Sequence, residues 1–410
     1  MHYKIEYFES AKRKKRMRTE AIRKILTRDF ILAFFAQFTF TLANHILVPT
    51  LPIYLSKLDC KETAIGVLIG IFTVSSLALR PFTGKTLVRT PERKIMIIGA
   101  LIFGLASIGY LVALPFWPFF LVRIFQGIGY AFFYTASFTL IANISPDAHR
   151  GESLSYFLLA LNISLALGPS LGMFLINRFD FTTLFLVCLG LSLASLFILT
   201  KLGRKQVPPV EESSVTSSFF ISREAFPASV MGFFFFFIWS GITAFFPLYA
   251  IRHGVVNPGL FFTVIAIMII ASRILGARVS DLYRSEKIIL PCLFVLIVPT
   301  VIIAFSKTLL MFILAGLLWG IGHAFFYPAL AVYILDRVGS SRSLAMGTLT
   351  GMTDLGIFMG PAMMGVVVQF TSYPIMFLCL SSVGVFSLIY FQFVVRDKKM
   401  PASLSKLTSS

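Results

Sequence analysis

The chain has 410 residues, of which 57% are hydrophobic and only 13% charged, and its formal net charge is +18. A water-soluble domain carries about 25% charged residues, so this composition excludes an ordinary soluble enzyme: most side chains must face lipid or one another. The basic excess would suit nucleic acid, but its placement along the chain points to a membrane instead, and no nucleic-acid partner is expected.

In chain order, residues 1–29 form a basic segment containing Lys12-Arg13-Lys14-Lys15-Arg16, then Arg18, Arg23 and Lys24. It is too long a polar lead to precede the apolar core of a cleavable signal peptide. Its basic run reads as a topology signal or as a contact for anionic lipid headgroups. A bilayer span needs roughly 20 mostly apolar residues. Twelve such stretches follow, at approximately 30–55, 64–82, 94–114, 116–142, 153–177, 181–200, 225–250, 259–280, 288–306, 308–335, 343–370 and 373–395. Six precede and six follow the polar segment 201–224, which holds Pro208-Pro209, Glu211-Glu212 and a Ser/Thr cluster. The expected organisation is an N-terminal six-helix bundle over 30–200, a cytoplasmic linker over 201–224, a C-terminal bundle over 225–396 and a tail over 397–410.

Of the 36 Lys and Arg, only Lys57, Lys61, Arg178, Arg252 and Lys307 fall on the far side, and Arg80, Arg123 and Arg273 lie within or at the ends of spans. The rest lie on the side of the termini, which predicts a multi-pass protein of the cytoplasmic membrane with both ends inside. The loops are short and leave no room for a soluble catalytic domain. No Walker loop, nucleophile elbow or zinc-binding helix occurs, so neither an enzyme nor an ATP-driven pump is expected. The four cysteines, Cys60, Cys188, Cys292 and Cys379, lie far apart and indicate neither a metal nor a disulfide framework. No cofactor is implied.

One half repeats the other. Gly127-Ile128-Gly129-Tyr130-Ala131-Phe132-Phe133-Tyr134 returns as Gly320-Ile321-Gly322-His323-Ala324-Phe325-Phe326-Tyr327, 193 positions later. Arg80 and Gly84 match Arg273 and Ala277 at the same offset, Gly168-Pro169 matches Gly360-Pro361, and Pro52-Ile53-Tyr54 matches Pro247-Leu248-Tyr249. Four landmarks in one order at nearly one spacing mark an internal duplication. Within an even-helix half, such a duplication is a parallel repeat.

These motifs resemble those of the major facilitator superfamily over about residues 30–396, in particular its twelve-helix drug:proton antiporter branch. The segment Arg80-Pro81-Phe82-Thr83-Gly84 to Arg93-Lys94 is similar to the family's loop signature, with Val88 where an Asp is usual; the second half keeps Arg273 and Asp281. Arg123-x-x-Gln126-Gly127-x-Gly129 resembles the fourth-helix motif tied to proton transfer. Ser164 to Gly172, around Gly168-Pro169, resembles the fifth-helix antiporter motif, and Gly356-x-x-x-Gly360-Pro361 echoes it. The resemblance implies an all-α integral membrane fold of two pseudo-symmetric six-helix bundles around a midplane site. It also implies a cytoplasmic gate at Arg80, Gly84, Arg273 and Asp281 that relies mainly on Asp281, with a solvated loop carboxylate as the lesser reading of that residue. Small residues four apart let helix backbones approach, which gives Gly168, Pro169, Gly172, Gly356, Gly360 and Pro361 a packing role beside any role as an export marker.

A charge inside a span costs roughly 2.5–3.5 kcal/mol, so each needs a reason. Asp354 is the one carboxylate placed near the middle of a helix, and Asn162 is its counterpart 192 positions earlier. Left without a countercharge, such a carboxyl group keeps its proton readily and suits a proton carrier; beside an arginine it would be an ionised tie between helices. His45 and His323 fall in cavity-lining helices and read either as titrating groups or as neutral hydrogen-bonded ones. Arg123, Asp354, His45 and His323 are the candidates for proton coupling. Asn44, Tyr130, Tyr134, Trp239, Trp319 and Tyr327 are the candidates for contact with substrate. An aromatic cavity with few fixed charges suits a small amphipathic or hydrophobic solute, moved by alternating access and by proton-coupled efflux. Symport or facilitated uptake of a nutrient or metal chelate would use the same helices, and a non-transporting sensor is the reading from another class. The expected partners are the solute, protons and membrane lipid, with the chain as a monomer.

Overall fold

A computed structural model describes residues 24–113, 116–146, 149–203, 222–275, 283–338 and 342–396, with the backbone alone at 273–275 and 343. Among these residues the chain forms twelve long helices and no strand. In the first half they are α1 (Arg28–Lys57), α2 (Glu62–Arg89), α3 (Glu92–Val112), α4 (Trp117–Ile144), α5 (Arg150–Arg178) and α6 (Phe181–Thr200). In the second they are α7 (Phe226–Arg252), α8 (Gly259–Leu275), α9 (Ser285–Phe305), α10 (Leu309–Leu335), α11 (Arg342–Phe370) and α12 (Tyr373–Tyr390), which runs on into one π turn at Phe391–Val395. Eleven are long and apolar enough to cross a membrane, and α8 adds a shorter apolar stretch, Gly259–Ser272. The segment before residue 24, most of the linker and the tail from 397 lie outside the described residues.

Local chemistry sets the helix starts. The Thr27 hydroxyl accepts from the Phe30 N–H at 3.3 Å, and the Asp180 carboxylate accepts from the Thr183 N–H at 2.7 Å. Each satisfies one of the orphan amides of a first turn. The Thr183 N–H contact, with further bonds from the side chains of Thr183 and Thr182, holds the exposed Asp180 carboxyl below the usual carboxylate range. Pro169, Pro247 and Pro361 sit inside helices, which neighbouring helices make tolerable in a membrane. Phe125 and Phe174 on one half, and Phe294 and Phe370 on the other, point outward.

The same helix pairs pack in each half: α1 on α5 and α7 on α11, α3 on α4 and α9 on α10, α2 on α4 and α8 on α10. The duplication extends to side chains. Phe40 and Phe133 stack at 3.8 Å between ring centroids, and their counterparts Phe235 and Phe326 stack at 4.9 Å. With lipid as apolar as leucine, such van der Waals packing holds the helices together more than burial does. The halves meet through α2 with α11, α5 with α8, and α1 with α7.

That junction differs along its length. We call the end carrying the starts of α1 and α7 the basic face and the other end the far face. Near the far face, a Cβ at Gly66 or Gly70 of α2 would strike the carbonyls of Pro361 or Phe358 on α11, and one at Gly365 would strike that of Glu62. Toward the basic face, a Cβ at Gly84, Gly347 or Gly351 on the same two helices would meet no atom within 4 Å among the described residues. The two halves are in backbone contact at the far face.

Candidate functional site

Where α2 and α11 cross between these ends, the Arg80 guanidinium donates from Nη1 to Asp354 Oδ2. The pair joins the two halves. Asp354 is almost covered, with 6% of its side chain exposed, while Arg80 keeps 26%. The sequence grouped Arg80 with the gate; in the structure it lies about two-thirds of the way along α2, toward the basic face, and pairs with Asp354 across the junction. Of the two sequence readings of Asp354, the arrangement is that of a carboxylate beside an arginine. Tyr130 and Tyr134 of α4 stack at 5.3 Å, and both, with Tyr327 of α10, lie within electrostatic reach of the pair.

On the first-half wall, His45 Nδ1 lies 2.9 Å from Ser164 Oγ, Ser164 donates to Thr41 Oγ1 at 3.0 Å, and Thr41 donates to the Gln37 carbonyl at 2.7 Å. His45, Ser164, Thr41 and the Gln37 carbonyl thus form one chain of polar contacts between α1 and α5, and Ser164 also donates to the Leu161 carbonyl at 2.8 Å. Asn44 and Asn162 are half-buried on neighbouring helices. Arg123 is buried and held elsewhere. It donates to the carbonyls of Leu68 and Ile69 at 2.8 and 2.9 Å, to Gln126 Oε1 and to the Tyr110 hydroxyl at 3.4 Å, and lies over the Phe72 ring at 4.7 Å. None of these partners is Asp354. Sequence reasoning missed Tyr110, which has no motif around it, and Ser164, read there only as a substitute glycine.

On the second-half wall, His323 sits 5.1 Å from Phe235 and 5.7 Å from Trp239 between ring centroids, and Trp239 stacks on Trp319 at 5.9 Å. Trp319 is fully buried. The expectation that it touches a solute is therefore corrected: Phe235 and Trp239 cover it, and it supports Trp239 from behind. Trp239 itself, Tyr130, Tyr134 and Tyr327 are half-buried. Gly168 and Gly172 abut the backbone of α1 at His45 and Ile46, and Gly356 and Gly360 abut that of α7 at Phe233 and Phe237. Pro169 and Pro361, next to the innermost glycines, face the other half at Gly259 and Gly66. Of the gate residues, Asp281 and the Arg273 side chain lie outside the described residues.

At the far face, contacts unread in the sequence close the junction. Arg252 pairs with Glu62 at 3.5 Å and covers the Tyr373 ring at 4.5 Å. The Thr63 N–H donates to Gln369 Oε1 at 3.4 Å, Asn177 Nδ2 donates to the Val256 carbonyl at 2.9 Å, and Thr263 Oγ1 donates to the Ala166 carbonyl at 2.6 Å. The pairing of α2 with α11 and of α5 with α8 would have located the contacts of Thr63 and Thr263, and the approach of α7 to α2 that of Arg252, had the helix neighbours been known.

A twelve-helix bundle of two like halves with polar groups at their central junction has counterparts among known proteins. The sequence model of the Major Facilitator Superfamily matches residues 33–306 and 257–409. The chain belongs to that superfamily. This membrane transporter is 25% identical over 392 residues to the staphylopine export protein of Staphylococcus aureus, across 91% of this chain and 98% of that one. It is 24% identical over 368 residues to multidrug resistance protein 2 of Bacillus subtilis, across 85% and 91%. Its fold is similar to that of the nucleoside transporter NupG in a mutant form, with a TM-score of 0.78 at 13% identity, across 89% and 99% of the two chains. The transporter is a multi-pass membrane protein that handles small molecules, as its family does.

Proposed function

We propose that the transporter exports a small amphipathic solute in exchange for protons, with the basic face and both termini in the cytoplasm. One observation carries the coupling: the Arg80–Asp354 pair is a charged tie between the two moving halves. When Asp354 takes a proton, Arg80 loses its countercharge, the tie between α2 and α11 weakens, and the halves are released to rock about the midplane. When the proton leaves, the tie re-forms. The far face is closed by backbone contact while Gly84, Gly347 and Gly351 stand clear of the described residues, which supports an inward-facing state ready to load solute from the cytoplasm. The exporting and drug-resistance roles in the relatives' names support the outward direction.

In this reading Asn44, Tyr130, Tyr134, Trp239 and Tyr327 line the solute path, with His45 and His323 on opposite walls offering further protonatable groups. Arg123 braces α4 against α2 and acts on the proton path through Tyr110 and Gln126. Gly84, Arg273 and Asp281 form the gate that closes the basic face in the other state. The protein works in the cell membrane as a monomer surrounded by lipid.

Proteoliposomes with an imposed proton gradient test the proposal, using a panel of amphipathic dyes with zwitterionic, cationic and anionic members. Proton and solute moving in opposite directions support it; movement in the same direction gives symport, and no flux of any dye gives a non-transporting protein. Asp354→Asn is expected to abolish gradient-driven flux, and full gradient-driven transport by that variant removes Asp354 from the coupling.

A further inference from the structure

We infer that the solute is an amphipathic zwitterion, whose anionic group takes Arg80 and whose cationic group takes Asp354. The inference rests on the transport reading and names its solute class. In the resting state the two charges satisfy each other. A solute with a single charge that enters the pair can take only one member, and it strands the other in a low-dielectric interior, a strongly destabilising arrangement. A solute carrying both signs exchanges one internal pair for two external ones, and no charge is left uncompensated. Arg80, with its planar fork and greater exposure, is suited to receive a carboxylate or another oxyanion first.

The surroundings fit the rest of such a molecule. Tyr130, Tyr134 and Tyr327 lie within electrostatic reach of the pair and are half-buried, and aromatic rings of this kind suit an apolar body and an ammonium group. Among the described residues none of the three hydroxyls has a hydrogen-bond partner, so each can donate to or accept from the bound solute. The repeat gives a second, independent pointer. The position matching Asp354 in the first half is Asn162, so the carboxylate is supplied once, for one cationic group, and not as a ring of charge.

The test uses purified full-length protein and three forms of one probe: the dipeptide phenylalanyl-phenylalanine, its methyl ester and its N-acetyl derivative. These share a body and differ in charge as zwitterion, cation and anion. The zwitterion is expected to stabilise the wild type against heat and to bind about thirtyfold or more tighter than either derivative. Arg80→Gln is expected to shift preference to the ester and Asp354→Asn to the N-acetyl form. The double exchange Arg80→Asp with Asp354→Arg keeps the pair and restores the zwitterion preference, a readout that a merely structural ion pair would not move. Equal binding of the ester or the N-acetyl form to the wild type overturns the inference, as does no binding of the zwitterion. Proton-driven flux of zwitterionic, cationic and anionic dyes separates the two failures: flux with no zwitterion preference sinks only the solute class, whereas no flux of any dye, the zwitterionic ones included, sinks the transport reading.

Discussion

The two ends of the α2–α11 contact are built from the same residue type and do opposite things. At the far face, Gly66, Gly70 and Gly365 exist because the partner backbone occupies the space of a side chain. At the basic face, Gly84, Gly347 and Gly351 meet no atom within 4 Å among the described residues in this conformation. A small residue that is packed in one state is explained by that state; a small residue that is packed against nothing is explained by another. The comparison teaches that the closed end is encoded in contacts that can be seen and the open end in contacts yet to form. Arg80 and Asp354, between the two ends, sit at the fulcrum.

The largest expected effect comes from filling the closed end. Gly66→Leu or Gly365→Leu drives a side chain into the partner carbonyl, and overpacking of this kind costs about 1–3 kcal/mol. The far face should then open, and cross-linking of Thr63→Cys with Gln369→Cys in a background without other cysteines should fall by about tenfold. Unchanged cross-linking would mean that α2 and α11 do not part at these glycines. Next is the open end. Gly84→Leu should leave thermal stability within about 0.5 kcal/mol of the wild type, because no described neighbour is displaced. It should nevertheless stop transport and raise the Thr63–Gln369 cross-link, by blocking the state in which the basic face closes; normal transport by this variant would show that Gly84 has no packed state at all.

A smaller change is expected from the latch. Glu62 and Arg252 keep 28% and 61% of their side chains exposed, so water screens the pair, and Glu62→Gln should shift the same cross-link by about fivefold at most. A shift as large as that of Gly66→Leu would move the closing force from backbone packing to charge. The smallest effect concerns pH. Asp180 lies in the loop before α6, and its carboxyl is held below its ordinary value by donors from the first turn. A group depressed in the folded state adds stability above its unfolded pKa and loses it as pH falls through the folded value. Thermal stability should therefore drop slightly between pH 4 and pH 3, a range near the ordinary carboxylate value of about 3.9. Asp180→Asn should remove that part of the drop.

Much of the fold was legible because its signals are local or periodic. Runs of apolar residues give the spans, the basic bias gives their expected direction, and the 193-residue offset between Gly127 and Gly320 gives two like halves. The offset even carries to contacts, since Phe40 with Phe133 and Phe235 with Phe326 are matching pairs. The site was less legible. Asp354 and the tyrosines were picked out by being polar or aromatic in a span, but the partner of Asp354 lies 274 positions away. Trp319 was misplaced for a related reason: a helix that is apolar on all sides gives no sign of which face meets the cavity.

Composition, helix count and internal repetition were thus legible in the sequence alone, because lipid forces every buried stretch into a helix and a duplicated gene keeps its order. Which charges meet, which glycines touch and which aromatic rings remain reachable were decided only by the tertiary structure. Those depend on how helices far apart in the chain lie against each other, and in lipid that choice is made by close packing, which no run of hydropathy records.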